Sequence, residues 1–226
     1  MNRPRMLAIL SSLGLAACGV DGGGGGAPVE APAYVIGVHH AYFPISPGMS
    51  WSYVGERDGL PVTEEARALP ELRPVLGIAC TPVRTEVYVP GALTEIDTEL
   101  YAEDMDGNVW KFGEEALEFD GMTLTRTVDS WTAGEDGARA WMVFPALPRV
   151  GEQFLALRPG GADVFRIASL TALAEVPAGV FADCLEVDEN PGDVEDQDII
   201  LYSAGVGRVT ESDRHGHVDL VAVGRN

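Results

Sequence analysis

Residues 96–112 read IDTELYAEDMDGNVWKF, and this stretch decides how the fold is interpreted. Alternating apolar and polar residues flank Asp104-Met105-Asp106-Gly107, which is the pattern of two antiparallel strands joined by a tight turn. A two-residue loop at Asp106-Gly107 would mix carboxylates with aromatic rings on one face. A type I turn over residues 104–106, with Gly107 in a left-handed bulge, shifts the register by one residue.

The shifted register is preferred because it separates apolar from charged side chains. One face then carries Ile96, Leu100, Ala102, Trp110 and Phe112. The other face carries Glu99, Tyr101, Glu103 and Lys111. We expect the large side chains of the first face, Ile96, Leu100, Trp110 and Phe112, to be core residues or the wall of an internal cavity.

The same period-two pattern continues over residues 34–226 and predicts an all-β, mainly antiparallel domain. Turn dipeptides interrupt it at short intervals. These are Asp58-Gly59, Asp106-Gly107, Asp120-Gly121, a turn around Gly216, and corners at Pro47-Gly48, Pro90-Gly91, Pro159-Gly160 and Pro177-Ala178-Gly179. Residues 63–69 stay ambiguous, because they resemble a helix capping box but leave room for only about two turns before Pro70 and Pro74.

Size and composition restrict the class of protein. The chain has 226 residues, of which 46% are hydrophobic, and a formal net charge of −20. This apolar content is enough for a folded core, and the length suits one domain better than two. A strongly negative surface repels phosphate groups, so nucleic acid is not an expected partner.

The N-terminus has the pattern of an export signal. Arg3 and Arg5 precede an apolar stretch over residues 6–15, which is too short to span a bilayer. Leu15-Ala16-Ala17-Cys18 resembles the lipobox of bacterial lipoproteins, which implies a lipid on Cys18 and cleavage before it. The alternative is an ordinary secretory signal that happens to contain Cys18.

The lipobox divides the chain into three predicted parts. Residues 1–17 are the signal peptide, residues 18–33 are a lipidated glycine-rich tether, and residues 34–226 are the β-rich domain. Glycine loses the most entropy on ordering, so the run Gly22–Gly26 favours a flexible tether. The protein is therefore expected in the cell envelope, anchored to a membrane through Cys18. Gly19 weakly favours the outer membrane, because in the lipoprotein sorting rule an Asp at this position retains the protein at the inner membrane.

Four blocks in order along the chain resemble a family of secreted or lipid-anchored bacterial β-proteins of uncharacterised function. They lie at residues 42–53, 101–114, 176–181 and 203–209, and the likeness extends over about residues 42–211. The family is similar in appearance to the curved antiparallel half-barrels of lipoprotein-trafficking carriers. The resemblance implies a single curved sheet, half-barrel or barrel-like, but no activity.

Two cysteines remain beside Cys18. Cys80 and Cys184 each lie in a strand-like apolar run, and the envelope is oxidising, so they are a candidate disulfide if their strands are neighbours. Two buried free thiols are the alternative.

No metal site is favoured and no cofactor is predicted. Asp104, Asp106 and Asn108 resemble the start of a calcium loop, with Glu115 at the twelfth position, and they are weak calcium candidates. The four histidines form two pairs, His39-His40 and His215-Gly216-His217, which could meet to bind zinc or copper. Asx-rich turns and a frayed strand entry explain the same residues without a metal.

No catalytic constellation is visible in the sequence, and Gly-x-Ser-x-Gly is absent. The leading hypothesis is a lipid-anchored, non-catalytic envelope protein that binds an envelope component or an apolar molecule in the concavity of its sheet. The first alternative is an envelope hydrolase that acts on carbohydrate or ester substrates through Asp and Glu residues. The second alternative is an acidic adhesion module that depends on divalent ions.

Overall fold

The computed structural model describes residues 33–120, 123–158 and 161–225. In these ranges the secondary structure is β-strand, and there is no helix long and apolar enough to cross a membrane. The strands are β1 (Tyr34–Val35), β2 (Met49–Arg57), β3 (Leu60–Ala68), β4 (Arg73–Val75), β5 (Ile78–Tyr88), β6 (Leu93–Asp104), β7 (Val109–Asp120), β8 (Thr123–Arg126), β9 (Trp131–Thr132), β10 (Trp141–Phe144), β11 (Gln153–Arg158), β12 (Gly161–Val176), β13 (Gly179–Glu189), β14 (Asp198–Ser203), β15 (Gly207–Ser212) and β16 (Gly216–Arg225).

The β6–β7 hairpin forms with the predicted turn. The Gly107 amide donates to the carbonyl of Asp104, and Gly107 has a φ of 90°, a conformation that glycine adopts without strain. Ala102 lies opposite Trp110, which confirms the shifted register near the turn. Further along, a bulge at Phe112 places Leu100 opposite Gly113.

The strands are arranged as two antiparallel meanders that meet in the middle of one sheet. The order is β10-β7-β6-β5-β3-β2-β16-β15-β14-β13-β12-β11, with β1, β4, β8 and β9 attached at the side. Pairing of β2 with β16 is therefore the seam between the two halves.

The sheet curves until its two outer strands approach each other. β10 and β11 follow one another in the chain and come close in space, but they do not pair. The prediction of an all-β, mainly antiparallel, curved sheet is confirmed, and the sheet stays open between these two strands.

Apolar side chains form two clusters. The larger cluster includes Trp51, Tyr53 and Tyr101, together with Val38 and Ile45 from the segment that precedes β2. The smaller cluster includes Cys80, Leu100, Phe112, Trp131 and Trp141.

Residues 63–68, left open between helix and strand by the sequence, belong to β3. Both neighbours of β3 pair with it, β2 on one side and β5 on the other. These ladder hydrogen bonds outweigh the local helix-forming tendency of the segment, because a two-turn helix is marginal alone.

The predicted disulfide between Cys80 and Cys184 is wrong for this structure. Both thiols are buried and unpaired. Cys80 is in β5 and Cys184 is in β13, and these strands are in different halves of the sheet and are not neighbours. A disulfide requires Cα atoms less than about 7 Å apart, which adjacent strands provide and separated strands do not.

Candidate binding cavity

The two halves of the curved sheet enclose a cavity of about 380 Å³. Its lining mixes aromatic rings with charged groups. The charged members are Arg57, Glu64, Glu95, Asp97, Glu99, Lys111, Glu114, Asp163, Glu189, Arg208 and Glu211. The aromatic members are Phe43, Trp51, Tyr53, Tyr101, Trp141, Phe144, Phe165 and Tyr202.

The register of the strands explains why this space is hollow. Pairing aligns Ala66 of β3, Thr85 of β5, Asp97 of β6 and Ala116 of β7 in one row across the sheet. Residues opposite each other on paired strands point to the same face. Three of the four side chains are small, and two of these, Ala66 and Thr85, line the cavity together with Asp97.

A second row, parallel to the first, contains two acids. It aligns Tyr53, Glu64, Val87 and Glu95 on successive strands. Glu64 is buried and lies within 3.9 Å of the Arg57 guanidinium. The two rows bring the carboxyl groups of Glu64, Glu95 and Asp97 to one region of the cavity.

Lys111 forms ion pairs with two other acids of the lining, Glu99 and Glu114. Its Nζ lies 2.5 Å from Glu99 Oε1 and 2.7 Å from Glu114 Oε2, and 5.8 Å from the centre of the Trp141 ring. Burial acts to lower the pKa of Lys111, but the two carboxylates outweigh it and raise the pKa above its ordinary value. Lys111 is therefore a permanent cation.

Arg208 forms ion pairs with a second pair of acids, Glu64 and Glu211. Its guanidinium donates to Glu64 and to Glu211 and lies 4.2 Å from the centre of the Tyr53 ring. The Tyr53 hydroxyl donates to the Arg208 carbonyl at 3.2 Å. These contacts hold Arg208 in place on the wall of the cavity.

Glu95 and Asp97 have no such cation. Among the described residues, no lysine or arginine nitrogen lies within ion-pair distance of either carboxyl. Oδ1 of Asp97 is buried without a hydrogen-bond partner among the described residues. Burial and the neighbouring carboxylates, Glu95 first, raise the pKa of Asp97 to about 8.

Aromatic residues line the cavity around Tyr101 of β6. Phe43, from the segment before β2, packs against Tyr101 and Phe144. Its ring centroid lies 4.9 Å from that of Tyr101 and 4.9 Å from that of Phe144. Tyr202 also packs against Phe144, with 4.8 Å between the two ring centroids. Burial raises the pKa values of Tyr101 and Tyr202, so both stay neutral phenols.

The four hairpin residues that the sequence singled out lie elsewhere. Leu100 and Phe112 are in the smaller apolar cluster, with Trp110 packed against it, and Ile96 is also buried. The cavity is lined instead by Glu99, Tyr101 and Lys111 from the opposite face of the hairpin. The signal that could have identified this face is the spacing Glu95-x-Asp97-x-Glu99, which places three acids on one side of a strand.

The weak calcium candidates form a turn that already uses their oxygens. The Asp104 carboxylate accepts hydrogen bonds from the amides of Asp106 and Asn108, from Nδ2 of Asn108 and from Nε1 of Trp110. Although burial acts in the opposite direction, these donors lower the pKa of Asp104.

The histidines have separate partners. His40 is buried, with Nε2 3.1 Å from the Pro145 carbonyl, and His215 lies 2.8 Å from the Asp58 carboxylate. Within the described ranges, no three His, Cys, Asp or Glu side chains are grouped so that they could hold a metal ion.

Comparisons with known proteins give little further information. No family model matches this chain, and no curated protein matches it. Among solved structures, the chain is similar to a protein from Parabacteroides distasonis described as a "putative lipoprotein", with a TM-score of 0.44. The sequence identity is 12%, and the match covers 82% of this chain and 99% of that one. We therefore infer function from the cavity residues themselves.

Proposed function

We propose that this chain is a lipid-anchored cell-envelope protein that binds a small organic cation in the cavity of its curved sheet. The observation that carries the proposal is the Glu95–Asp97 pair, two carboxyls that have no ion-pair partner among the described residues and that line a cavity together with aromatic rings. An ammonium group would supply the missing positive charge. Aromatic rings around it would hold the apolar body of the ligand and add cation–π attraction.

The size and lining of the cavity agree with such a ligand. Small-molecule sites span about 300–1,000 Å³, and a volume of about 380 Å³ is at the lower end of that range. The sequence alone left an apolar ligand possible, but the charged lining favours a cation. An apolar ligand would remove water from the carboxylates and would offer them no hydrogen bond or opposite charge in its place.

A set of three isosteric probes tests the proposal on the full chain in detergent. We expect 2-phenylethylammonium to raise the melting temperature, while neutral 2-phenylethanol and anionic phenylacetate leave it unchanged. The reason is that the three probes share a ring but differ in charge. Equal shifts with the alcohol and the ammonium would refute cation binding. Ala66→Met places a larger side chain on the cavity wall and should abolish the rise in melting temperature caused by the ammonium probe.

The anchor is proposed from the lipobox, whose residues 1–18 lie outside the described part of the chain. We expect palmitate label on the intact protein and none on a Cys18→Ser variant, and we expect globomycin to block maturation. An unlabelled, freely diffusing wild-type protein would contradict the anchor. Gly19 favours the outer membrane, which density-gradient separation of the two membranes would test.

One observation favours a hydrolase as a second candidate. Burial and neighbouring acids raise the pKa of Asp97 to about 8, while Lys111 overcomes the burial of Glu99 and lowers its pKa. A protonated carboxyl close to an ionised one is the arrangement that general acid catalysis with a nucleophile or base requires. Hydrolysis of a nitrophenyl glycoside or ester by the wild type, lost in Glu99→Gln, would support this candidate.

A further inference from the structure

We propose that the domain docks on the surface of the lipid bilayer through four exposed apolar side chains at one end of the sheet. These are Ile36, Leu76, Met105 and Leu147, which we call the docking patch. They belong to neither apolar cluster and do not line the cavity. The proposal rests on the lipid anchor of the proposed function and adds the orientation of the domain on the membrane.

The chain enters the domain at the docking patch. The Met105 amide, in the turn between β6 and β7, donates to the carbonyl of Ala33 at 2.9 Å. About 15 residues, 18–32, lie between that point and the predicted lipid. A glycine-rich chain of that length spans about 20 Å by random-coil scaling. A lipid on residue 18 would therefore keep this end of the sheet close to the bilayer.

The other three members of the docking patch lie in loops beside this turn. Ile36 follows β1, which pairs with the last two residues of β6. Leu76 lies between β4 and β5, and β5 begins beside the end of β6 because these two strands are antiparallel. Leu147 follows Ala146, whose amide donates to Oδ1 of Asn108 at 2.8 Å, just after the same turn. The patch therefore consists of four neighbouring segments.

The four side chains are largely open to solvent. The exposed fraction is 75% for Ile36, 69% for Leu76, 73% for Met105 and 76% for Leu147. Single exposed apolar residues are common on soluble proteins, but several in neighbouring loops indicate an interaction site. Binding to a bilayer interface becomes stronger with the apolar area that it buries, and loop tips can bury all four side chains together.

The charges around the docking patch indicate which headgroups it can meet. Asp106 is exposed next to the patch, and the turn that contacts Leu76 continues into the exposed Glu135 and Asp136. Arg149 is an exposed cation in the loop after β10. An anionic bilayer would repel this mainly acidic surround, whereas zwitterionic headgroups accept both signs of charge. We therefore expect docking on phosphatidylcholine.

The opposite end of the sheet has a different surface. β6 begins at that end, beside the end of β5 and the start of β3. The β2–β3 turn lies there, and its Asp58 amide donates to the His215 carbonyl of the β15–β16 turn. Arg214 of the same turn pairs with Glu195 in the loop between β13 and β14. Val194 of this loop is 77% exposed, but acids precede and follow it in the sequence. This end serves as the control.

The position of the chain entry makes the bilayer the occupant of the docking patch. A tether that starts in the membrane and ends beside Met105 makes contact with lipid an intramolecular event, which raises its effective concentration. A protein partner would have to compete with lipid that is always within reach. Weak insertion of a few side chains is therefore enough to orient the domain.

Quenching by lipid tests the docking on the full, lipidated chain. The protein is reconstituted in phosphatidylcholine vesicles in which part of the lipid carries a nitroxide on its acyl chain. A nitrobenzoxadiazole label on Asp106→Cys, beside the patch, should be quenched by the nitroxide. The same label on Val194→Cys should not be quenched. Cys80 and Cys184 are buried, so the label reacts with the introduced cysteine.

Variants of the docking patch identify the side chains responsible. Burying one large apolar side chain strengthens an equilibrium by about tenfold or more. Met105→Ser combined with Leu147→Ser should therefore weaken docking by about a hundredfold and reduce quenching at residue 106 to the level found at residue 194. Val194→Ser removes an equally exposed apolar side chain at the opposite end and should leave quenching at residue 106 unchanged. If the first pair lowers the melting temperature, Ile36→Ser combined with Leu76→Ser is the second test.

The outcomes separate docking from the anchor. An unquenched label at residue 106, on protein that floats with the vesicles, would overturn docking and leave the anchor intact. Protein that stays in solution would overturn both. Quenching that occurs without nitroxide lipid and increases with the ratio of protein to lipid would assign the patch to a second copy of this chain, and docking on lipid would again be overturned.

Discussion

Lys111 is the residue on which the charge balance of the cavity most depends. It is buried and contacts the carboxylates of Glu99 and Glu114 at once. Removing one partner of a buried ion pair costs about 3–5 kcal/mol, because the remaining charges lose their counterion and have little water in its place. We therefore expect Lys111→Met to lower the free energy of unfolding by about that amount, as measured by urea denaturation at pH 7.

A combined variant provides the control for Lys111. Replacing Glu99 and Glu114 by Gln together with Lys111→Met removes all three charges and should recover most of the lost stability. If Lys111→Met alone were as stable as the wild type, the buried triad would not be an ion pair in solution.

At the scale of single elements, Gly55 on β2 determines how closely β2 and β16 approach. A Cβ atom added at Gly55 would overlap the main-chain carbonyl of His217. Neither backbone can move without breaking the ladder between β2 and β16, so Gly55→Ala should destabilise the protein by roughly 2–4 kcal/mol.

Gly161 on β12 is the matched control for this substitution. It also lies in a strand, its φ is not positive, and a Cβ there would meet nothing within 4 Å. Gly161→Ala should change stability by about 0.5 kcal/mol or less. Thermal melts of the two variants side by side would contradict the close-approach argument if their midpoints fell equally.

We expect the turn between β6 and β7 not to bind calcium. Both carboxylate oxygens of Asp104 accept hydrogen bonds from N–H donors of the same hairpin. A calcium ion would have to displace these donors. Melting curves with EDTA and with millimolar calcium should coincide. A midpoint that rises with calcium and loses this response in Asp104→Asn would show that the loop binds the ion.

The hairpin also shows how far sequence reasoning reaches. Its turn type and its register next to the turn follow from Gly107 and from the period of two, and both are confirmed. The side of the hairpin that faces the cavity could not be predicted, because alternation defines two faces but does not say which one the distant strands will cover. Both faces are buried here, and the charged one is buried against the cavity.

The bulge at Phe112 was not predictable for a related reason. The bulge lies where β7 also pairs with β9, with Gly113 opposite Thr132. A Cβ on Gly113 would press on the Trp131 carbonyl at 3.0 Å. Residue 131 is far from residue 113 in the sequence, and no local sequence pattern predicts that contact.

At the scale of the whole molecule, the two meanders keep the cysteines apart. Cys80 is in the first half and Cys184 is in the second, and both side chains are completely buried. Burial raises the pKa of Cys80 to about 11, so its reactive thiolate is scarce at neutral pH. We expect no alkylation of either residue in the native protein.

Unfolding should make both cysteines accessible to alkylation. In denaturant without reductant, mass spectrometry should find label on both Cys80 and Cys184, because no bond joins them. An unlabelled pair that becomes reactive only after reduction would restore the disulfide that the sequence suggested.

The central position of β16 has a consequence for biosynthesis. Each meander can pair its own strands as the chain emerges, but the seam between them consists of β2 and the last strand described, residues 216–225. A variant that lacks residues 216–225 would therefore be left with two unjoined sheets, each with an exposed edge that invites aggregation.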